Sequence, residues 1–322
     1  MSIGTTAGAG AYPTLPPTPP RAAAASYDIR EADFASLERE WLELLRDSAV
    51  DHIFLTPCWV AAWWRHLGSG QLRLLALRQQ GRLAAVAPLV EQGRAFSLAA
   101  DRDVCDYADV VVRRGEEAGV AAALLDYLDR EGDAFHFLPL LPQSPLLQHL
   151  APLAREHGYT LAATQELTPT VSLELPTSWE GYLEGLDGKE RHEVRRKMRR
   201  LYGAGQVTFS PAPATPARVE LFLSMFRASR ADKERFLTPQ REAFFRTLMA
   251  DLEARGYLRL YFLEVMGRAV AAALCFDYGD TLYLYNNGFD PRYTDLSPGL
   301  MSKVLAIQDA IQRGKRLFDF LS

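Results

Sequence analysis

FLTPCWVAAWWRHL (Phe54–Leu67) and FLTPQREAFFRTLM (Phe236–Met249) open with the same four residues, 182 positions apart. Ala61 and Ala243 match at that offset, and Trp63 is answered by Phe245. Further on, LRLLALRQQGRLAAVAPL from Leu72 lines up with LRLYFLEVMGRAVAAALC from Leu258, an offset of 186. Phe135-His136-Phe137-Leu138 then matches Phe318-Asp319-Phe320-Leu321 at an offset of 183. Three similar segments in one order at near-constant spacing point to a duplicated module, with a period far longer than that of solenoid repeats.

Each copy reads alike. A helix follows FLTP (Trp59 to Leu67; Arg241 to Arg255), with Thr56 and Thr238 as N-caps and Pro57 and Pro239 at the first helical position. Next come two strands joined at Gln79-Gln80-Gly81-Arg82 and at Val265-Met266-Gly267-Arg268, where glycine permits a tight hairpin. A third strand (Tyr107 to Val112; Thr281 to Asn287), a helix (Glu116 to Arg130; Pro298 to Arg313) and the F-x-F-L strand complete the copy. The first copy runs on through a helix (Leu146 to His157) and a strand (Thr160 to Leu175), whereas the second has only Ser322 after FDFL. The second sheet is therefore either shortened or completed by another segment or subunit.

The expected organisation is a Pro/Ala/Gly-rich disordered tail over 1–26, a first domain over 27–175 and a second over 176–322. A net charge of -4 gives no global attraction to nucleic acid or anionic membrane, so any basic site must be local. Three widely spaced cysteines suit a reducing compartment, and the cytoplasm is the expected location. No apolar run reaches the roughly 18 residues of a membrane span. The six histidines and three cysteines show no metal-ligand spacing, so no metal is expected.

The richest stretch is TLYLYNNGFDPRYTDLSPGLMSKVLAIQDAIQRG (Thr281–Gly314). Strand alternation puts Tyr283, Tyr285 and Asn287 on one face and Leu282 and Leu284 on the other. Ser297 reads as an N-cap, Pro298 as the first helical residue, and Gly299 as a point where a ligand could approach the backbone. The bare amides of such a helix start suit a pyrophosphate. In the first copy Arg114-Gly115-Glu116-Glu117 sets carboxylates there, which would repel phosphate. By itself the local pattern of the second copy reads as an ordinary capped helix that binds nothing.

The words F-L-T-P-x-W, G-R-x-x-A-x-x-P-L, E-x-R-R-K-x-R-R-L, N-x-G-F-D-P-x-Y, L-S-P-G and F-D-F-L together resemble the tandem-GNAT proteins over Tyr27 to Leu321. More narrowly they resemble BioF2-like or CelD-like acyltransferases of cell-envelope and polysaccharide gene clusters, cousins of the FemAB aminoacyltransferases. The resemblance implies an α/β (α+β) chain of two tandem GNAT-like domains, with mixed, mostly antiparallel sheets flanked by helices. It also implies transfer of an acyl group from acyl-CoA, acetyl-CoA above all, to an amine or hydroxyl of an envelope or polysaccharide precursor. It further implies a donor on the second copy and a scaffold or acceptor side on the first. The alternatives are FemAB-like aminoacyl transfer from charged tRNA, or a non-catalytic binding protein on the same fold. Two departures stand out: the Arg/Gln-x-x-Gly-x-Gly/Ala signature of simple GNAT enzymes is absent, and the Gly and Tyr-Lys pair common after F-D-F do not follow Phe320.

Acyl transfer needs an oxyanion donor and a proton for the leaving group. Asp290 is either a base or acceptor anchor, or the cap of a turn before Pro291; Tyr285 and Tyr293 are acids or buried core rings; backbone near Gly288 could face the oxyanion. Asn287, Gly288, Ser297, Gly299 and Leu300 would hold the donor. Asp319, where the first copy has His136, lines a site or is a satisfied core carboxylate. KERHEVRRKMRR (Lys189–Arg200) forms a basic helix with Arg191, Arg195 and Arg199 in a row, either a solvated face or an anion-binding wall for acceptor, donor or RNA. No DNA partner is expected, and the protein is free to form an oligomer.

Overall fold

The structure is a computed structural model that describes residues 26–162 and 170–321, so the expected tail lies almost wholly outside the described residues. The chain divides into two compact units: residues up to Val60 with Gly68–Pro169, and Ala61–Leu67 with the chain from Thr170 on.

Up to Glu156 the chain runs β1 (Asp28–Glu31), α1 (Phe34–Arg46), α2 (Pro57–Leu67), whose residues from Ala61 on belong to the second unit, β2 (Gln71–Gln79), β3 (Arg82–Gln92), β4 (Ala95–Leu98), β5 (Val111–Val112), α3 (Glu117–Glu131), β6 (Ala134–His136) and α4 (Ala151–Glu156). The sheet of the first unit has the order β1-β2-β3-β4-β6, with β5 also on β3. After β7 (Ser172–Glu174) and α5 (Trp179–Gly185), the second unit runs α6 (Gly188–Gly203), β8 (Val207–Ala212), α7 (Pro216–Ser229), α8 (Ala231–Phe236), α9 (Pro239–Ala254), β9 (Leu258–Val265), β10 (Arg268–Tyr278), β11 (Thr281–Phe289), α10 (Pro298–Gln312) and β12 (Leu317–Asp319). Its sheet order is β7-β12-β11-β10-β9-β8.

Strand, helices (α1 and α2 in the first half of the chain; α7, α8 and α9 in the second), three antiparallel strands, a helix and a parallel strand thus follow one another in both halves. The hairpins are alike down to the turn: Gln80 and Gly81 have φ of 50° and 81°, Met266 and Gly267 of 50° and 72°. Two positive φ values in a two-residue loop match the twist of the flanking strands. β3 and β10 are near-continuous apolar runs because both of their faces are buried. α9 starts as expected, Thr238 accepting from the Arg241 N–H at 3.3 Å. Thr56 behaves differently, since its hydroxyl donates to Ile53 O at 2.7 Å.

Two expectations need correction. The sequence pattern predicts the third strand of the first half at Tyr107 to Val112, but it is split: β4 pairs with Leu89–Gln92 of β3, and β5 with Ala85 and Val86. Pro88 lies at the gap, where its carbonyl accepts from the Ala99 N–H at 2.8 Å and a missing N–H costs no ladder bond. The strand expected over Thr160 to Leu175 falls partly outside the described residues, and its described end pairs elsewhere. Ser172–Glu174 lies antiparallel to β12, so this segment continues the second sheet past β12 and covers that edge.

Candidate functional site

β11 and β12 run parallel for three residue pairs, Thr281–Tyr283 with Leu317–Asp319. Beyond them β11 continues to Phe289 without β12. A bulge also falls there: Leu274 pairs with Asn286 and Cys275 with Leu284, which leaves Tyr285 as the extra residue. The bulge reverses the expected alternation. Leu282 and Leu284 pack with Ala306, Ile307 and Ala310 of α10, and past the bulge Asn287 and Phe289 take the same side. Gly288 turns the other way, against α7; a Cβ there would lie 2.4 Å from the Phe226 N and 2.5 Å from the Met225 carbonyl carbon.

A cavity of about 400 Å³ opens at this corner, lined by Ser229, Arg230 and Lys233 from the α7–α8 junction, by Asn287 and Phe289 of β11, and by Thr294, Ser297, Pro298, Gly299, Leu300 and Lys303. Asn287 ties the walls together. Its Nδ2 donates to Gly299 O at 3.1 Å, while Lys233 Nζ donates to its backbone O at 2.5 Å. Lys233 also lies 4.8 Å over the Phe226 ring. Burial, reinforced by Lys303 and Arg230, brings the Lys233 ammonium down to about 8. Burial and then Arg230 lower Lys303 as well.

Of the residues expected to bind a donor, Asn287, Ser297, Gly299 and Leu300 line this cavity. Their reasons differ from the expected ones. Ser297 is not a side-chain cap: it sits at φ 53°, and its hydroxyl accepts from Lys197 Nζ at 2.9 Å. Gly299 is required by packing, because a Cβ would lie 2.9 Å from the Phe289 ring. The first turn of α10 offers few amides, since Pro298 has none and those of Leu300 and Met301 bond to Ser297 O. Gly288 is buried under α7 and does not line the cavity.

The expected acids and bases disperse. Asp290 accepts from the backbone N–H of Arg292 and pairs with its guanidinium at 2.6 Å, which holds the carboxyl below the usual range and makes it a poor base. Tyr285 packs at a tilt against Phe245 and Phe276, and Tyr293 packs on the core that includes Met301, Val304 and Leu305 of α10. Asp319 is buried and accepts from the Leu321 N–H at 2.8 Å, closing a turn after β12. His136, its first-half counterpart, is exposed.

The basic helix is α6, but the row singled out in it does not reach the cavity: Arg195 and Arg199 are exposed, and Arg191 bonds Glu184 O at 3.5 Å. Val194 and Leu201 are its buried residues, and Lys197 is the cation aimed at Ser297. Arg230, Lys233 and Lys303 were missed. Lys303 was legible, one helical turn after Gly299 and Leu300; α8 is short and polar, so only packing reveals its role.

The architecture decides the fold. It is a tandem GNAT fold. An acetyltransferase (GNAT) domain family model matches residues 188–322. A crystal structure of FemX is similar at 13% identity with a TM-score of 0.64, over 92% of this chain and 88% of that one. L-PGS from Bacillus licheniformis is 13% identical at a TM-score of 0.50, over 81% of this chain and 74% of that one. The C-terminal domain of a putative lysylphosphatidylglycerol synthetase from Agrobacterium fabrum is 14% identical at 0.50, over 89% and 78%. No curated protein matches the chain. Among the described residues no helix is long and apolar enough to cross a membrane, and no three His, Cys, Asp or Glu side chains gather as a metal would need.

Proposed function

We propose that the second unit transfers an acyl group: an amine or hydroxyl of the acceptor attacks a carbonyl held as an ester or thioester on a carrier in the β11–α10 cavity. The observation that carries this reading is the parting of β11 from β12 beside a basic cavity, in a fold of the GNAT type. Among carriers, aminoacyl-tRNA is the better supported, as in FemAB-like chemistry. The charge here comes from lysine and arginine side chains, whereas the amides that would cradle a free pyrophosphate are mostly used within α10. FemX and the lysylphosphatidylglycerol synthetase are similar in fold, which agrees with that choice. Acetyl-CoA is the second reading, suggested by the GNAT domain match over 188–322. The acceptor is placed among envelope or polysaccharide precursors, in line with the BioF2-like and CelD-like resemblance, and the first unit is assigned to its side.

The test uses the full chain with radiolabelled aminoacyl-tRNA in one arm and radiolabelled acetyl-CoA in the other. Amino sugars, nucleotide-linked precursors and phosphatidylglycerol vesicles are offered as acceptors. Label moving from RNA to an acceptor is the expected result. Label moving from acetyl-CoA alone establishes the second reading, and no transfer in either arm leaves a non-catalytic binding protein.

A further inference from the structure

Two half-buried ammonium groups line the cavity, and neither is ion-paired with a carboxylate, although Asp232 lies near enough to Lys233 to favour its charge. Lys303 has no ion pair or side-chain hydrogen bond among the described residues. Lys233 is bonded to neutral acceptors, the backbone O of Asn287 at 2.5 Å and its Oδ1 at 3.5 Å. Arg230, the third cation, pairs with Asp232 at 2.8 Å. One carboxylate against three cations leaves an excess of two positive charges. Burial in the cavity lowers both lysines first, and the neighbouring like charges add to it. A purely structural cluster would be stabler with an apolar residue or a carboxylate in one of these places. The cost is recovered when an anion enters.

The charge count and the shape of the cavity specify that anion. Two uncompensated cations match a dianion better than a single carboxylate, and several donors converging on one point suit the oxygens of phosphate. About 400 Å³ accommodates a group of nucleotide size. Leu300, 42% exposed, offers an apolar surface beside the cations.

We propose that Arg230, Lys233 and Lys303 form a phosphate clamp for a nucleotide-bearing carrier, the phosphate between the two ammonium groups and the nucleoside against Leu300. This names the recognition element of the site to which acyl transfer was assigned, and it rests on that reading only for the word carrier. Side chains from the α7–α8 junction, α8 and α10 grip the anion, in place of backbone amides at a helix start. Binding falls as pH rises through 8, because Lys233 then gives up its proton. The charged groups near it are Arg230 at the α7–α8 junction, Asp232 on α8 and Lys303 on α10, with the neutral Asn287 on β11.

Calorimetric titration of the full chain tests the clamp with three probes: inorganic pyrophosphate, coenzyme A and a short RNA ending in CCA. The proteins are wild type, Lys233→Met, Lys303→Met and Lys303→Gln, with Arg195→Met as a basic change outside the cavity. Pyrophosphate and at least one nucleotide carrier bind the wild type. Each lysine change weakens them about tenfold, the loss of one charge-assisted contact, while Arg195→Met stays within about twofold. Which carrier binds separates coenzyme A from RNA. Absence of binding to all three probes overturns the proposal, as does equal weakening by Arg195→Met and by both Lys303 variants. Probe binding without any acyl transfer sinks the proposed activity and keeps the clamp; transfer indifferent to both lysines sinks the clamp alone.

Discussion

The two units share one strand and helix order, yet they treat the third sheet strand in opposite ways. In the first unit it stops at Leu98 and restarts at Val111. The residues between contribute Val104, Cys105, Tyr107, Ala108 and Asp109 to the core. In the second unit β11 runs unbroken with a single bulge, and the additions come at its flanks: α8 between α7 and α9, and a short 3-10 turn, Pro291–Leu296, before α10. The break and the bulge fall at matching places, because Pro88 aligns with Leu274 in the hairpin repeat. An insertion within the strand feeds the core, whereas insertions around the strand build walls for a cavity. A duplicated fold can thus divide its labour by where it lengthens.

The largest test of this contrast is at Gly288. The pairing registers, Val86 with Val111 and Ala272 with Gly288, make Val111 its counterpart. Gly288→Val should cost about 4 kcal/mol or prevent folding, since the backbone of α7 has no room to yield. Val111→Gly should cost about 2 kcal/mol, from lost packing and added chain freedom. Urea denaturation of both variants is the check, and equal costs would break the comparison.

A second test uses pH. Asp109 in the first unit is raised to about 7, chiefly by burial, against hydrogen bonds from Ser144, Val110 and Leu146 that favour its charge. Its folded value lies above its unfolded value, so the stability it contributes is full below about pH 4 and is lost as pH rises through 7. The loss is at most about 4 kcal/mol, and Asp109→Asn should flatten the profile between pH 4 and 8 in thermal melts. Asp277 in the second unit goes the other way. Burial raises it, but Lys315 and Arg313 together outweigh burial, so its contribution is present at neutral pH and lost in acid.

The smallest effect distinguishes a true cap from an apparent one. Thr238→Ala should cost about 1 kcal/mol, the usual worth of an N-cap bond. Ser297→Ala should cost less than about 0.5 kcal/mol, because no cap bond is lost. If Ser297 proves the costlier, its bond to Lys197 holds the mouth of the cavity more firmly than the geometry suggests.

Much of the fold was legible because it depends on local chemistry. The paired turns needed a glycine at the second loop position, the helices after FLTP needed proline at their first residue, and β3 and β10 showed as long apolar runs. Pro88 falls at the strand break, but its meaning depends on which edge of β3 is left unpaired, which the sequence does not show. The candidate site was less legible. The stretch from Asn287 to Leu300 was found, but a bulge at Tyr285 reversed the faces beyond it, and a shift of one residue is invisible to a two-residue period.

Repeat spacing, turn residues and apolar periodicity were enough to establish a duplicated α/β module and the stretch where its second copy differs from its first, because each acts over a few neighbouring residues. The choice of Lys233 and Lys303 over the arginine row of α6, the use of Gly299 for packing, and the closure of the second sheet by Ser172–Glu174 came from the folded chain. Each depends on which distant surfaces meet, and electrostatics and steric contact are decided by distance in space.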